Sequence, residues 1–217
     1  MLITTEVRWF QLGTIPKAIA QWFQQAELGQ HLANPTERQD TYLLISEHEY
    51  LGLKLRQGNL EVKLRHAELG VHSFDSAWQG KVEQWVKWSG DASYQSPAGG
   101  EQSLAQGTWI NVQKARSQRQ YEVLPNQTCV AVPLGQSMTT GCTVELTQLV
   151  INNTAWWSLA FEATGDRQLE SLKSVVDWVS STHYPGTLTA NCSYAYPRWL
   201  MAATESAIAN LPEGSKE

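Results

Sequence analysis

Cysteine is scarce: only three of the 217 residues are cysteines, and Cys129, Cys142 and Cys192 show no CxxC or Cys/His ligand spacing. That excludes a disulfide scaffold or a zinc finger and fits reduced, partly buried thiols in a cytoplasmic protein. The five histidines, His31, His48, His66, His72 and His183, are equally scattered, which assigns them surface or structural roles. No apolar run approaches the ~18 to 20 residues of a membrane span. Glu6, Arg8 and Lys17 interrupt the first turns of chain, where a secretory leader would carry its apolar core. Neither GxxxxGK[ST] nor GxGxxG follows a strand-like run, so no phosphate loop is present. Charge is sparse too, at 17% of residues, and 16 Lys+Arg against 21 Asp+Glu leave a net charge of −5. A general nucleic-acid-binding footprint is therefore excluded.

What remains is an ordinary globular composition, 42% apolar with ten tryptophans, and a length that fits one domain with additions. Three segments have helical periodicity. Ile19, Trp22, Phe23 and Ala26 follow the start signal of Thr14 and Pro16; Leu169, Leu172, Val176 and Val179 form a second stripe; Pro197, Leu200, Ala203 and Ile208 form a third. Elsewhere apolar and polar residues alternate with period two, predicting strands near 3–10, 40–47, 50–56, 60–66, 81–88, 108–114, 120–124, 128–133, 143–151 and 156–163. The Ser/Gly/Gln stretch 89–107 reads as surface loop and the residues after Leu211 as a polar tail. This pattern is α+β: an antiparallel sheet, closed as a barrel or stacked as a sandwich, with helices on its outside.

The most informative stretch is the hairpin 51–65. Gln57-Gly58-Asn59 reads as a three-residue loop with Gly58 or Asn59 at positive φ. Leu53, Leu55, Leu60, Val62 and Leu64 then share one face, of which Leu53, Leu55, Val62 and Leu64 are expected to pack under the helices of Trp22 and Val176. Lys54, Arg56, Glu61, Lys63 and Arg65 share the other. Other strands repeat the division: Thr4, Glu6 and Arg8 against Thr5, Val7 and Trp9; Thr143, Glu145 and Thr147 against Val144 and Leu146; Ser158 and Glu162 against Leu159 and Phe161. A polar face can simply meet water. If the sheet closes, the polar faces instead line a lumen in which cations attract polyanions and carboxylates can hold a divalent metal on phosphate oxygens.

Glu6 with Arg8, Arg38-Gln39-Asp40-Thr41-Tyr42-Leu43, the basic hairpin, Lys114 with Arg116, Glu145, Trp157 to Glu162 and Ser193 to Leu200 occur in an order that resembles the CYTH group, the triphosphate tunnel metalloenzymes, especially their thiamine-triphosphatase-like branch. The resemblance spans 1–205 as one tunnel domain, with 206–217 a polar C-terminal tail. It implies a closed eight-stranded antiparallel β-barrel with helices outside, a hydrolase that splits a triphosphate-bearing small molecule or inorganic tripolyphosphate with Mg²⁺ or Mn²⁺. By position, Arg8, Lys54, Arg56, Lys63, Arg65, Lys114 and Arg116 would bind the substrate phosphates. Glu6, Glu145 and Glu162 would serve as metal ligands and catalytic groups, with Glu61 a further partner of metal or basic residues.

The chain departs from the family's opening E-x-E-x-K, which here reads Thr4-Thr5-Glu6-Val7-Arg8. One carboxylate has become a hydroxyl, so binding is expected to exceed hydrolysis. Two other classes stay open: a non-catalytic polyanion-binding barrel without the metal site, and a scaffold whose Trp-rich exterior binds a protein. No nucleic-acid or membrane partner is expected, and homodimerisation is left open.

Overall fold

The computed structural model describes residues 1–46, 48–74, 78–91 and 107–209. Nine strands follow in order: β1 (Leu2–Leu12), β2 (Thr36–Leu44), β3 (Leu51–Arg56), β4 (Asn59–Phe74), β5 (Trp78–Asp91), β6 (Thr108–Val123), β7 (Cys129–Val132), β8 (Thr140–Ile151) and β9 (Thr154–Gly165). Helix α1 (Lys17–Phe23) lies between β1 and β2, and α2 (Gln168–Ser180) and α3 (Tyr196–Ala209) follow the last strand. The strands pair antiparallel in the order β2-β3-β4-β5-β1-β9-β8-β6, and β2 pairs with β6 from Thr36↔Arg116 to Leu44↔Thr108. That last pairing closes an eight-stranded barrel, with β7 added along the far half of β6.

Side-chain alternation puts two different interiors on the two faces of this sheet. Outward-facing Val7, Trp9, Val82, Tyr121, Val144, Leu159 and Phe161 form one apolar core with Ile19, Trp22 and Phe23 of α1 and with Leu172, Val175, Val176 and Val179 of α2. A second apolar cluster lies inside the barrel at one end, where Phe10, Tyr42, Ile110, Val112, Leu149, Ile151 and Trp156 meet Trp199, Leu200 and Ala203 of α3. Phe10 stacks on Trp199 at 5.0 Å between ring centroids, so α3 plugs that end with aromatic rings. The remaining length of the lumen is ionic.

Three expectations are corrected. The hairpin β3–β4 turns on two residues, Gln57 and Gly58, both at positive φ, rather than on three. Its register pairs Arg56 with Asn59, and the φ values of 51° and 78° are those of the turn that follows strand twist. Asn152 and Asn153 make the same kind of turn between β8 and β9. The runs 108–114 and 120–124 form one strand, β6. Arg116 to Arg119 is polar on both faces, which hides the period-two signal, because Arg119 points outward yet is buried. Finally, the leucine face of the hairpin is not under the helices of Trp22 and Val176. In the closed order this hairpin lies across the barrel from β8 and β9, on which α2 chiefly packs, and β4 joins the core of α2 through Phe74 at its far end. Leu53, Leu55 and Val62 are half-buried and Leu64 is exposed. Most of the predicted loop 89–107 and the residues from 210 onward lie outside the described residues, apart from Ser89 to Asp91, which belong to β5.

Candidate anion-binding site

The lumen holds a cavity whose lining is largely ionic. Of the residues predicted for the site, Glu6, Arg8, Lys54, Arg56, Glu61, Lys63, Lys114, Arg116, Glu145 and Glu162 all line it. Strand parity delivers them: Glu6 and Arg8 alternate on β1, Lys54 and Arg56 on β3, Glu61 and Lys63 on β4, Lys114 and Arg116 on β6. Arg65 does not line it. The register of β4 shifts immediately after Arg65, and its guanidinium turns to Glu83 at 2.7 Å, with Glu68 and Glu49 at 3.6 and 3.8 Å.

Arg38, Lys81, Glu83, Trp85, Lys87 and Tyr196 also line the cavity and were given no role from sequence. For most of them the signal was present: Lys81, Glu83, Trp85 and Lys87 alternate along β5 as the hairpin residues do along β4. Tyr196, in the first turn of α3, carried no such period. Nine cationic side chains and five carboxylates thus line one cavity in a chain of net charge −5. A sixth carboxylate, Asp40, lies fully buried behind the wall.

The cations are arranged around those carboxylates. Asp40 forms ion pairs with Lys114 at 3.1 Å, Arg38 at 3.2 Å and Lys54 at 3.9 Å. Glu61 is held by Arg56 at 2.7 Å and by Lys54 and Lys87, each at 3.0 Å. Glu145 takes Arg8 on one oxygen and Arg116 on the other, each at 3.2 Å. Burial pushes the Glu61 and Glu145 carboxyls up, but these cations outweigh it and hold both down at about 2. Glu6 is bound by Lys63 and accepts the Thr4 hydroxyl at 2.6 Å, and its pKa lies below the carboxylate norm despite burial. Glu162 differs. It faces Glu6 across the β1–β9 pair, among the described residues its only ion pair is to Lys63 at 4.0 Å, and burial raises its pKa.

Two lysines are affected in the opposite sense. Burial lowers Lys114 to about 7 against the pull of Asp40 and Glu145, and burial together with Lys114 lowers Lys54 to about 8. Lys114 donates to the Tyr42 hydroxyl at 2.5 Å and stands 4.0 Å over the Tyr196 ring, while Arg8 stands 4.8 Å over the same ring.

A divalent cation does not fit the carboxylates as they stand. The Lys63 ammonium occupies the space between Glu6 and Glu162, and both oxygens of Glu145 are taken by arginines. Among the described residues no group of three or more His, Cys, Asp or Glu side chains is placed to hold a metal. Also among the described residues, no helix is long and apolar enough to cross a membrane. No protein-family model matches the chain, and no curated protein matches it.

Proposed function

We propose that the barrel binds a small phosphate-bearing molecule, a triphosphate or polyphosphate, among its lumen cations, with Lys63 supplying the positive charge that a divalent metal would otherwise bring to Glu6 and Glu162. The observation that carries this reading is the excess of cations over carboxylates inside one cavity of an otherwise acidic chain. Cations that merely balanced buried carboxylates would match them in number. Arg8, Arg38, Arg56 and Arg116 can each present a planar fork to phosphate oxygens, and a lumen with low-dielectric walls weakens their screening. Binding without turnover is favoured over metal-dependent hydrolysis because every carboxylate named for the metal already has a cationic neighbour.

The test is thermal unfolding with inorganic tripolyphosphate, in EDTA and in Mg²⁺ or Mn²⁺, with phosphate release measured in parallel. Tripolyphosphate at a hundred times its Kd should stabilise the protein by about 2.7 kcal/mol. The shift should persist in EDTA, without phosphate release. No shift at millimolar tripolyphosphate removes the reading. A shift that needs the metal and comes with turnover replaces it with the hydrolase.

A further inference from the structure

The cations do not account for all of this cavity. Next to Lys54 and Arg8 it continues into a lobe lined by Leu44, Ile45 and Leu51 at the adjoining ends of β2 and β3 and by Pro197 and Leu200 at the start of α3. None of these side chains carries a hydrogen-bond donor or acceptor. Gly52 lines the lobe as well, and a Cβ placed there would meet only the Pro197 Cγ, at 3.4 Å. Gly52 and Pro197 thus pack directly on one another, and a larger side chain at position 52 would project into the aliphatic slot formed by this lobe.

The two lobes meet at Tyr196. Its ring stacks on Tyr42 at 5.4 Å, lies beneath Arg8 and Lys114, and its hydroxyl is buried without a hydrogen-bond partner. Moving along the cavity, the chemistry therefore runs from cations, through one free phenol donor, to aliphatic walls. A free inorganic polyphosphate would leave those walls against water. A nucleoside would bring base-edge donors and acceptors to side chains that cannot pair with them, at a desolvation cost.

Resting on the reading of the lumen as a phosphate site, we infer that the ligand is a phosphorylated hydrocarbon, an alkyl or prenyl ester. Its phosphates lie among the lumen cations, its ester oxygen lies within the reach of Tyr196, and its chain occupies the aliphatic slot against Leu44, Ile45, Leu51 and Leu200.

Calorimetry on the full chain with inorganic diphosphate, n-hexyl diphosphate and adenosine diphosphate tests this, since the three share one anion. Hexyl diphosphate should bind roughly tenfold or more tighter than inorganic diphosphate, the gain of burying two methylenes, and the adenosine ester should gain nothing. Gly52→Leu fills the slot and should abolish the hexyl gain while leaving inorganic diphosphate within about twofold of the parent. Should that variant not fold, Ile45→Ser carries the same expectation of a reduced gain. Equal affinity for the hexyl and inorganic anions, a gain that survives the substitution, or an equal gain for the adenosine ester overturns the assignment and leaves the phosphate site standing. Failure of all three anions to bind removes the phosphate site itself.

Discussion

Arg119 and Lys114 lie on the same strand, one facing out beneath α1 and the other facing the lumen, and both are almost wholly buried. Among the described residues Arg119 has no carboxylate partner. Its guanidinium donates to the Phe23 carbonyl at 3.0 and 2.9 Å, to Gln25 at 3.1 Å, and to Leu28 and Gly29 at 3.2 and 2.5 Å. Those five bonds use the whole donor set of an arginine. They also close the carbonyl end of α1 and of the short turn after it, where a cation suits the local dipole. Lys114 instead sits among Asp40, Tyr42 and Tyr196 in a cavity that holds more cations than carboxylates. A buried cation saturated by carbonyls is a staple, whereas cations left in excess around a cavity are available to an anion from outside. Burial alone does not distinguish them; their partners do.

The largest expected effect is on the staple. In Arg119→Met the Leu28 carbonyl keeps the Tyr121 hydroxyl and the Gln25 carbonyl keeps the Leu28 N–H, but the Phe23 and Gly29 carbonyls lose their side-chain donor. Each loss costs about 1–3 kcal/mol, so stability should fall by about 2 kcal/mol or more. Urea unfolding measures it. Calorimetry on the folded fraction should find tripolyphosphate affinity unchanged, and a large loss of affinity would erase the contrast between the two faces.

The lumen counterpart is Arg116→Gln. Glu145 keeps Arg8 at 3.2 Å and Gln118 at 3.4 Å, so the urea midpoint should move little. Loss of one charge-assisted phosphate contact costs about 1.5–3 kcal/mol, which is about tenfold to a hundredfold in affinity. Unchanged binding with lowered stability would make Arg116 a second staple.

The contrast also explains what could be read from sequence. Where alternation was strict, as in Lys54 and Arg56 against Leu53 and Leu55, parity alone sorted residues between the two faces of the sheet, while the closure that makes the polar face a lumen was expected only from the family resemblance. The outward cation Arg119 broke that rule and split β6 into two expected strands. Its partners are carbonyls about ninety positions away in the chain, which no local pattern reveals. The inner aromatic plug was partly legible: the stripe of Pro197, Leu200 and Ala203 predicts the last helix, but the seat of its Trp199 inside the barrel on Phe10 depends on which end the chain returns to. The leucine face of the hairpin misled for a related reason. Alternation says which residues face outward, but closure order decides which part of the outside a helix covers.

Titration separates the two faces further, with a smaller effect. Burial lowers Lys114 to about 7 and Lys54 to about 8, whereas in the unfolded chain both hold their protons to about pH 10.4. The unfolded state thus binds more protons between these limits, so stability of the ligand-free protein should rise with pH across that interval. An anion prefers the protonated lysines, so tripolyphosphate affinity should fall over the same interval, by about tenfold at most since the arginines keep their charge. At the acid end Glu61 and Glu145, held at about 2, contribute stability that is lost as pH falls from about 4.5 toward 2. Unfolding and binding curves measured together from pH 6 to about 9 should slope in opposite directions. Parallel slopes would show that the lysines serve the fold and not the ligand.

The smallest effect is expected at Glu162, the lumen carboxylate with the weakest ion pairing. Its side chain is 35% exposed, Lys63 is 4.0 Å away, and Glu6 faces it across the strand pair. An anion entering among Lys63 and Arg8 meets this carboxylate as a repulsive charge. Glu162→Gln removes the repulsion without orphaning a cation, because Lys63 remains bound to Glu6. One unit charge a few ångströms away in a wet site is worth about 1 kcal/mol, so tripolyphosphate should bind up to about fivefold tighter in EDTA. A carboxylate that held a divalent metal would behave in the reverse way: the variant would bind more weakly in Mg²⁺ and no differently in EDTA. Measuring the same variant in both conditions therefore decides whether the lumen's working charge at this position is the lysine or a metal ion.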